Sequence, residues 1–254
     1  MAIINNRDIK ILEILKLMGW VREDLLAKWV GVEYKERKDK VNMQRIAKRL
    51  EDDGFIVRVK QIVGNPFYWS LGKRGVDYIG GFKQSKFSLI KSRHDDLVCE
   101  LIISKLLVNP EFEVVTDRII TLSNEHLVRV VSGGKMKLVE CVVPDVVIDG
   151  VAYEVELTRK TADKYRKKIG DYVKDINSGK FKEVLIYTDK SIASFINYHA
   201  VKNNPSFKFM VFSGTNIINA VEWQYDDLEA LQEHNQSLVS RINVDQNSGK
   251  IFHE

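Results

Sequence analysis

A chain of 254 residues with 44% hydrophobic and 29% charged residues has the composition of a globular protein and room for one large domain or two small ones. It has no run of about 18 apolar residues of the kind a membrane-crossing helix needs. Its N-terminal segment lacks the layout of a signal peptide, and Cys99 and Cys141 have no metal-ligand spacing, so a reduced, cytoplasmic setting is expected. The formal net charge of +4 is unevenly placed: residues 1–93 hold 20 Lys and Arg against 11 Asp and Glu, and the remainder holds 19 against 24. A basic front and an acidic back suit nucleic-acid binding by the first part, the plain alternative being Lys and Arg that only solvate helix faces.

In chain order, Arg7–Trp20 predicts a helix with Ile9, Ile11, Leu12, Leu15 and Met18 at helical spacing. A second helix is expected from Val21 to a stop at Gly31. After the charged stretch Glu33–Lys40, a third is expected from Val41, with Val41, Ile46, Ala47 and Leu50 as its apolar face and Gly54 as its stop. Two β-rich runs, FIVRVKQIV and PFYWSL, flank Gly64-Asn65 and predict a hairpin, with a short closing helix over Lys73–Ile79.

Three helices and a hairpin are the layout of a winged helix-turn-helix over residues 1–80, in which the third helix enters the major groove and the wing lies along the backbone. The candidate DNA contacts are Lys40, Asn42, Gln44, Arg45, Lys48 and Arg49 on the third helix, and Arg58, Lys60 and Asn65 on the wing. Amides and guanidinium groups suit base edges, and lysines suit phosphates. A winged helix used for protein contacts is the other reading. Residues 81–93 form a basic linker that follows the helix break at Gly80-Gly81.

A second domain is expected over residues 94–213. It opens with a helix from His94 to a stop at Asn109-Pro110, continues with strands at Phe112–Leu122, His126–Ser132 and Lys137–Asp149, and closes a hairpin with Val151–Thr158. Then come a helix at Ala162–Gly179, a strand at Glu183–Asp189, a helix at Ser191–Asn204 and a strand at Phe207–Ser213. The order argues an α/β sheet with helices on its faces. Residues 214–254 form an extension without an assigned role, in which Asp226–Ile242 reads as a surface helix.

The chemistry concentrates in VPDVVIDGVAYEVELTRK, Val143–Lys160, a hairpin turning at Asp149-Gly150. Glu154 and Glu156 are two apart on one strand and so share a face, and the hairpin brings Asp145 near them. Three acids among Val, Ile and Leu are costly unless they bind a cation or hold protons. Hard oxygen donors of this kind suit Mg²⁺ or Mn²⁺. Tyr165, Lys168 and Tyr172 fall on one face of the following helix. That face either lines a cleft or packs on the sheet, and packing is the expectation for the two tyrosines. His94, at a helix start, reads as a cap or a partner of Asp95, with a metal or phosphate contact as the alternative.

Pro144-Asp145 followed by Glu154-x-Glu156, on a hairpin between two helices, resembles the PD-(D/E)xK nuclease core of many restriction endonucleases, over roughly residues 94–213. The resemblance implies a mixed sheet flanked by helices, one or two divalent cations and hydrolysis of a phosphodiester bond. It implies Asp145 and Glu154 as metal ligands, Glu156 as the base or a further ligand, and Glu100 as an outer carboxylate. The chain departs from the pattern at Glu156, where the family usually has lysine, and Lys160 or Lys168 then stands in as the cation near the phosphate.

With the winged helix ahead of it, the whole is similar to the replication-relaxation group and the MOB-C class of plasmid relaxases. That implies site-specific nicking of one strand at a transfer origin, with an accessory DNA-binding protein and a coupling protein as partners. The other functions considered are a restriction- or transposition-type endonuclease cutting duplex DNA and a non-catalytic DNA-binding regulator.

Overall fold

The computed structural model describes residues 3–32, 34–61, 67–80, 87–123, 127–132, 135–140, 142–212 and 217–223. The fold is α+β, with eight α-helices and three sheets among these residues. Helix α1 (Asn6–Met18) starts at a capping box, in which Asn5 and Asp8 each accept the other's backbone N–H at 3.1 Å. Val21–Arg22 do not begin a helix as expected. They form strand β1, because their backbone pairs with the strand at Tyr68 and Trp69, and α2 (Glu23–Trp29) starts after them. Helix α3 (Arg37–Asp52) starts inside the charged stretch, at a capping box between Glu36 and Asp39. Its buried face is Met43, Ile46, Ala47 and Leu50. Val41, expected there, is 45% exposed, since the early start sets the helical phase on Met43.

Strands β2 (Ile56–Gln61) and β3 (Phe67–Leu71) pair antiparallel, in the sheet order β1-β3-β2. The Gly64-Asn65 turn lies outside the described residues. Helix α4 (Lys73–Ile79) follows. A Cβ at its Gly75 would run into the Phe55 carbonyl oxygen, so glycine lets this helix sit against the start of the hairpin.

Helix α5 runs Leu89–Val108 and so takes in the last five residues of the expected linker. The segment Phe112–Leu122, expected as one strand, divides into β4 (Val114–Thr116) and α6 (Asp117–Leu122). The Asp117 N–H leaves the ladder for the Asp145 carbonyl at 3.0 Å, and the Thr116 hydroxyl donates to Leu17 O at 2.8 Å. Strands β5 (Leu127–Ser132) and β6 (Lys135–Glu140) make a separate two-stranded sheet. The expected strand Lys137–Asp149 is therefore two strands, β6 and β7 (Val146–Ile148), with Pro144, which has no N–H to pair, just before the second.

Strand β8 (Val151–Glu156) joins β7 through Asp149 and Gly150, at φ 50° and 77°, the two positive values a two-residue primed turn requires. Helix α7 (Ala162–Asn177), β9 (Glu183–Thr188), α8 (Lys190–Ile196) with a π turn at Asn197–Val201, β10 (Phe207–Val211) and β11 (Val221–Trp223) follow. The expected helix at Asp226–Ile242 lies outside the described residues.

The main sheet has the order β11-β10-β9-β8-β7-β4. Strands β4, β7 and β8 pair antiparallel, while β8, β9 and β10 pair parallel through the crossovers of α7 and α8. Alternation along the strands sorts the two faces. Tyr153, Val155 and Tyr187 face a cluster that holds Leu101 and Ile102 of α5, together with Leu12, Leu26, Met43 and Leu50 of the first three helices. Ala152, Val184 and Ile186 face Tyr165, Ile169 and Tyr172 of α7 and Ile192 and Ile196 of α8.

The first cluster crosses the expected domain boundary without a break, and polar contacts follow it. Asp96 of α5 accepts from Arg22 and from the Tyr68 hydroxyl, each at 2.8 Å. No described helix is long and apolar enough to cross a membrane.

Candidate active site

The β7–β8 hairpin and the two helices that flank it build the site. Asp145 precedes β7 and is mostly buried. One of its oxygens, Oδ2, accepts the Val155 N–H at 2.7 Å and meets His94 Nε2 at 3.1 Å. The other ring nitrogen, Nδ1, lies 3.2 Å from Asp95 Oδ1. An imidazole between two carboxylates is held as a double donor. Burial opposes the charge on His94, but the bonds and charges of Asp145 and Asp95 outweigh it and push its pKa up to about 10. In return, although burial favours a protonated Asp145, His94, Lys168 and the Val155 N–H together hold its pKa below the usual value.

Glu154 is 5% exposed and points to the α7 side of the sheet, as its even register with Ala152 dictates. Its Oε2 accepts from Lys168 Nζ at 2.6 Å and its Oε1 from the Tyr172 hydroxyl. Burial and the nearby charge of Asp145 push Glu154 up to about 7, against the pull of Lys168 and Tyr172. Burial alone would lower Lys168, yet Glu154 and Asp145 raise it, and burial then Glu154 raise Tyr172. Glu156, 7% exposed, accepts from Lys160 Nζ at 2.6 Å, and its carbonyl accepts from the Thr188 hydroxyl on β9.

The predicted residues Asp145, Glu154, Glu156, Lys160 and Lys168 thus lie together. Glu100 does not join them: it pairs with Lys28 of α2 at 3.3 Å. The α5 residue that meets Asp145 is His94. The run His94-Asp95-Asp96, three polar groups in a row inside an otherwise apolar helix, was the signal for it. A second group absent from the prediction is Asp117 of α6, which burial and the charge of Asp145 push up to about 6. Tyr165 and Tyr172 pack α7 on the sheet as expected, and the Tyr165 hydroxyl ties down the loop through the Lys160 N–H and the Thr158 carbonyl. Among the described residues no group of three or more His, Cys, Asp and Glu is set to hold a metal ion. The buried like-charged pair Asp145 and Glu154 is the set of hard donors best suited to one.

Of the residues predicted to touch DNA, Lys40, Asn42, Gln44, Arg45 and Lys48 are exposed on α3, with Lys48 2.6 Å from Asp52. Arg49 turns inward to Asp8, which is fully buried, at 2.5 Å. The Arg58 guanidinium lies over the Phe67 ring, 4.1 Å from its centroid. Lys60 is on β2, with its side chain, like Asn65, outside the described set. No protein-family model, curated protein or solved structure matches the chain.

Proposed function

We propose that the chain is a divalent-metal-dependent DNA endonuclease, with a winged-helix part over residues 1–80 joined to a PD-(D/E)xK core, and that it nicks one strand at a plasmid transfer origin as a relaxase. The observation that carries the reading is the buried pair Asp145 and Glu154 with Lys168 at 2.6 Å from Glu154. Two carboxylates beside a lysine, on a hairpin that passes into a parallel crossover, supply what phosphodiester hydrolysis asks of a protein. The order α5, β4, β7, β8, α7, β9 agrees with the helix–strands–helix–strand order of that core.

Asp145 and Glu154 would hold Mg²⁺ or Mn²⁺, which needs only one or two carboxylates alongside water and phosphate. Burial fits this, since Glu154 is held near neutral by its carboxylate neighbour and a cation relieves that repulsion. When bound, such an ion polarises a phosphoryl oxygen and acidifies water. Lys168 takes the place of the lysine missing from the motif and faces the negative charge that builds on the phosphate oxygens. Glu156 takes the proton of the attacking water, and Lys160 keeps it ionised for that task. The exposed polar face of α3 reads the duplex, and an accessory mobilisation protein and a coupling protein complete the assembly.

The test is conversion of supercoiled plasmid carrying the cognate origin in Mg²⁺ or Mn²⁺, with Asp145→Ala and Glu154→Ala alongside. Open circles from the wild type alone support the relaxase reading. Linear product points instead to a restriction- or transposition-type enzyme. Failure of the wild type to cut, with partner protein and site present, leaves a DNA-binding regulator.

A further inference from the structure

Beyond Glu156 the molecule opens into a cleft of about 730 Å³, at the carboxyl ends of the parallel strands β8, β9 and β10. Open sheets with parallel strands take ligands at this end, and the volume is in the range that holds a small organic group. Arg93 of α5 and Lys190 of α8 bring cations to its wall, Asn219 brings an amide, and Phe212 and Trp223 bring aromatic rings. The Trp223 indole Nε1 is shielded from solvent and has no hydrogen-bond partner. A buried donor without an acceptor is costly, so this wall is one that a ligand with acceptor atoms would improve.

Cations for the backbone and aromatic faces for the bases are the combination that binds single-stranded nucleic acid. A paired base cannot use it, because its faces are already stacked in the duplex. We propose that the cleft receives one unpaired nucleotide of the strand being cut, with its base against Trp223 and Phe212 and its phosphate towards Arg93 and Lys190. The proposal rests on the nuclease reading, for Glu156 belongs both to the cleft and to the carboxylate cluster. It makes the enzyme selective for a locally melted strand, because the nucleotide next to the cut must first leave the stack.

The experiment uses the full-length protein in EDTA, so that no cutting occurs, and a fluorescein-labelled single-stranded oligonucleotide carrying 5-bromodeoxyuridine. Ultraviolet cross-links are mapped by mass spectrometry, and affinity is read by anisotropy. The expected result is a cross-link in the peptide that holds Phe212 or Trp223. Trp223→Ala should weaken binding about tenfold, the loss of one stacked base, and Trp223→Phe should keep most of it. Binding of the same sequence as a duplex should not change.

Cross-links confined to residues 37–60, or single-strand affinity unmoved by Trp223→Ala, overturn the proposal. Should the alanine variant fail to fold, the cross-link map of the unaltered chain still decides. Plasmid nicking separates the two ideas. A wild type that nicks without a cleft cross-link removes the cleft and keeps the nuclease. A cleft cross-link on a protein that never cuts removes the nuclease and keeps the cleft.

Discussion

Glu154→Gln should make the protein more stable in alkali while leaving it nearly unchanged in acid. The folded chain raises the Glu154 pKa from 4.5 to about 7, because burial and the Asp145 charge both disfavour its ionised form. Between those values the folded protein keeps a proton that the unfolded chain has released, so Glu154 lowers stability as pH rises through that window. A shift of this size corresponds to about 3 kcal/mol, fully developed above about pH 8 and absent below about pH 4. Glutamine cannot ionise, and it keeps an acceptor for Tyr172.

Urea unfolding in EDTA, followed by tryptophan fluorescence at several pH values, compares the two proteins. The gap between their stabilities should widen by about 3 kcal/mol from pH 4 to pH 8.5. His94 and Asp145 titrate in both proteins and cancel from the comparison to first order. Parallel curves would refute the claim that Glu154 is held near neutral.

Lys168→Met removes the cation beside a buried carboxylate and should cost about 3 to 5 kcal/mol at pH 7, while Lys168→Met with Glu154→Gln should recover most of it; a single variant within 1 kcal/mol of wild type would contradict the buried pairing. Glu156→Gln should slow plasmid nicking about 100-fold or more with DNA affinity unchanged, since it removes a proton acceptor and no DNA contact; an equal loss of binding would argue against that role. Arg45→Ala, on the exposed face of α3, should reduce the slope of log K against log salt for duplex binding by about one; an unaltered slope excludes Arg45 from phosphate contact. Arg22→Met leaves Asp96 with Tyr68 alone and should cost about 2 kcal/mol in urea unfolding; a neutral result would show that the contact between α5 and the first helices does not need this bond.

The catalytic hairpin was legible because its signals are local. Asp149-Gly150 specifies the turn, and a period of two places Glu154 and Glu156 on one face. Lys168 was legible as one member of a helical face with Tyr165 and Tyr172. His94 and Asp117 were not, since each gains its meaning from Asp145 across a long stretch of chain.

Where local propensity and tertiary contact disagreed, contact won. Ile119, Ile120 and Thr121 are β-formers, yet they lie in a helix because Thr116 and Asp117 bond elsewhere. Val21 and Arg22 look like a helix start, yet β3 captures them. The basic run before His94 reads as a linker by composition, but Leu89–Arg93 is the first turn of α5.

Each of the three hairpin acids has its own basic partner: Asp145 with His94, Glu154 with Lys168, Glu156 with Lys160. This bookkeeping constrains descent as well as chemistry. For the two least exposed acids, a lineage cannot drop one member of a pair and wait, because the intermediate carries a stranded charge. Change at this hairpin should therefore come in matched steps, an acid and its base lost or exchanged together, and divergent descendants should differ here by pairs of residues rather than by single ones.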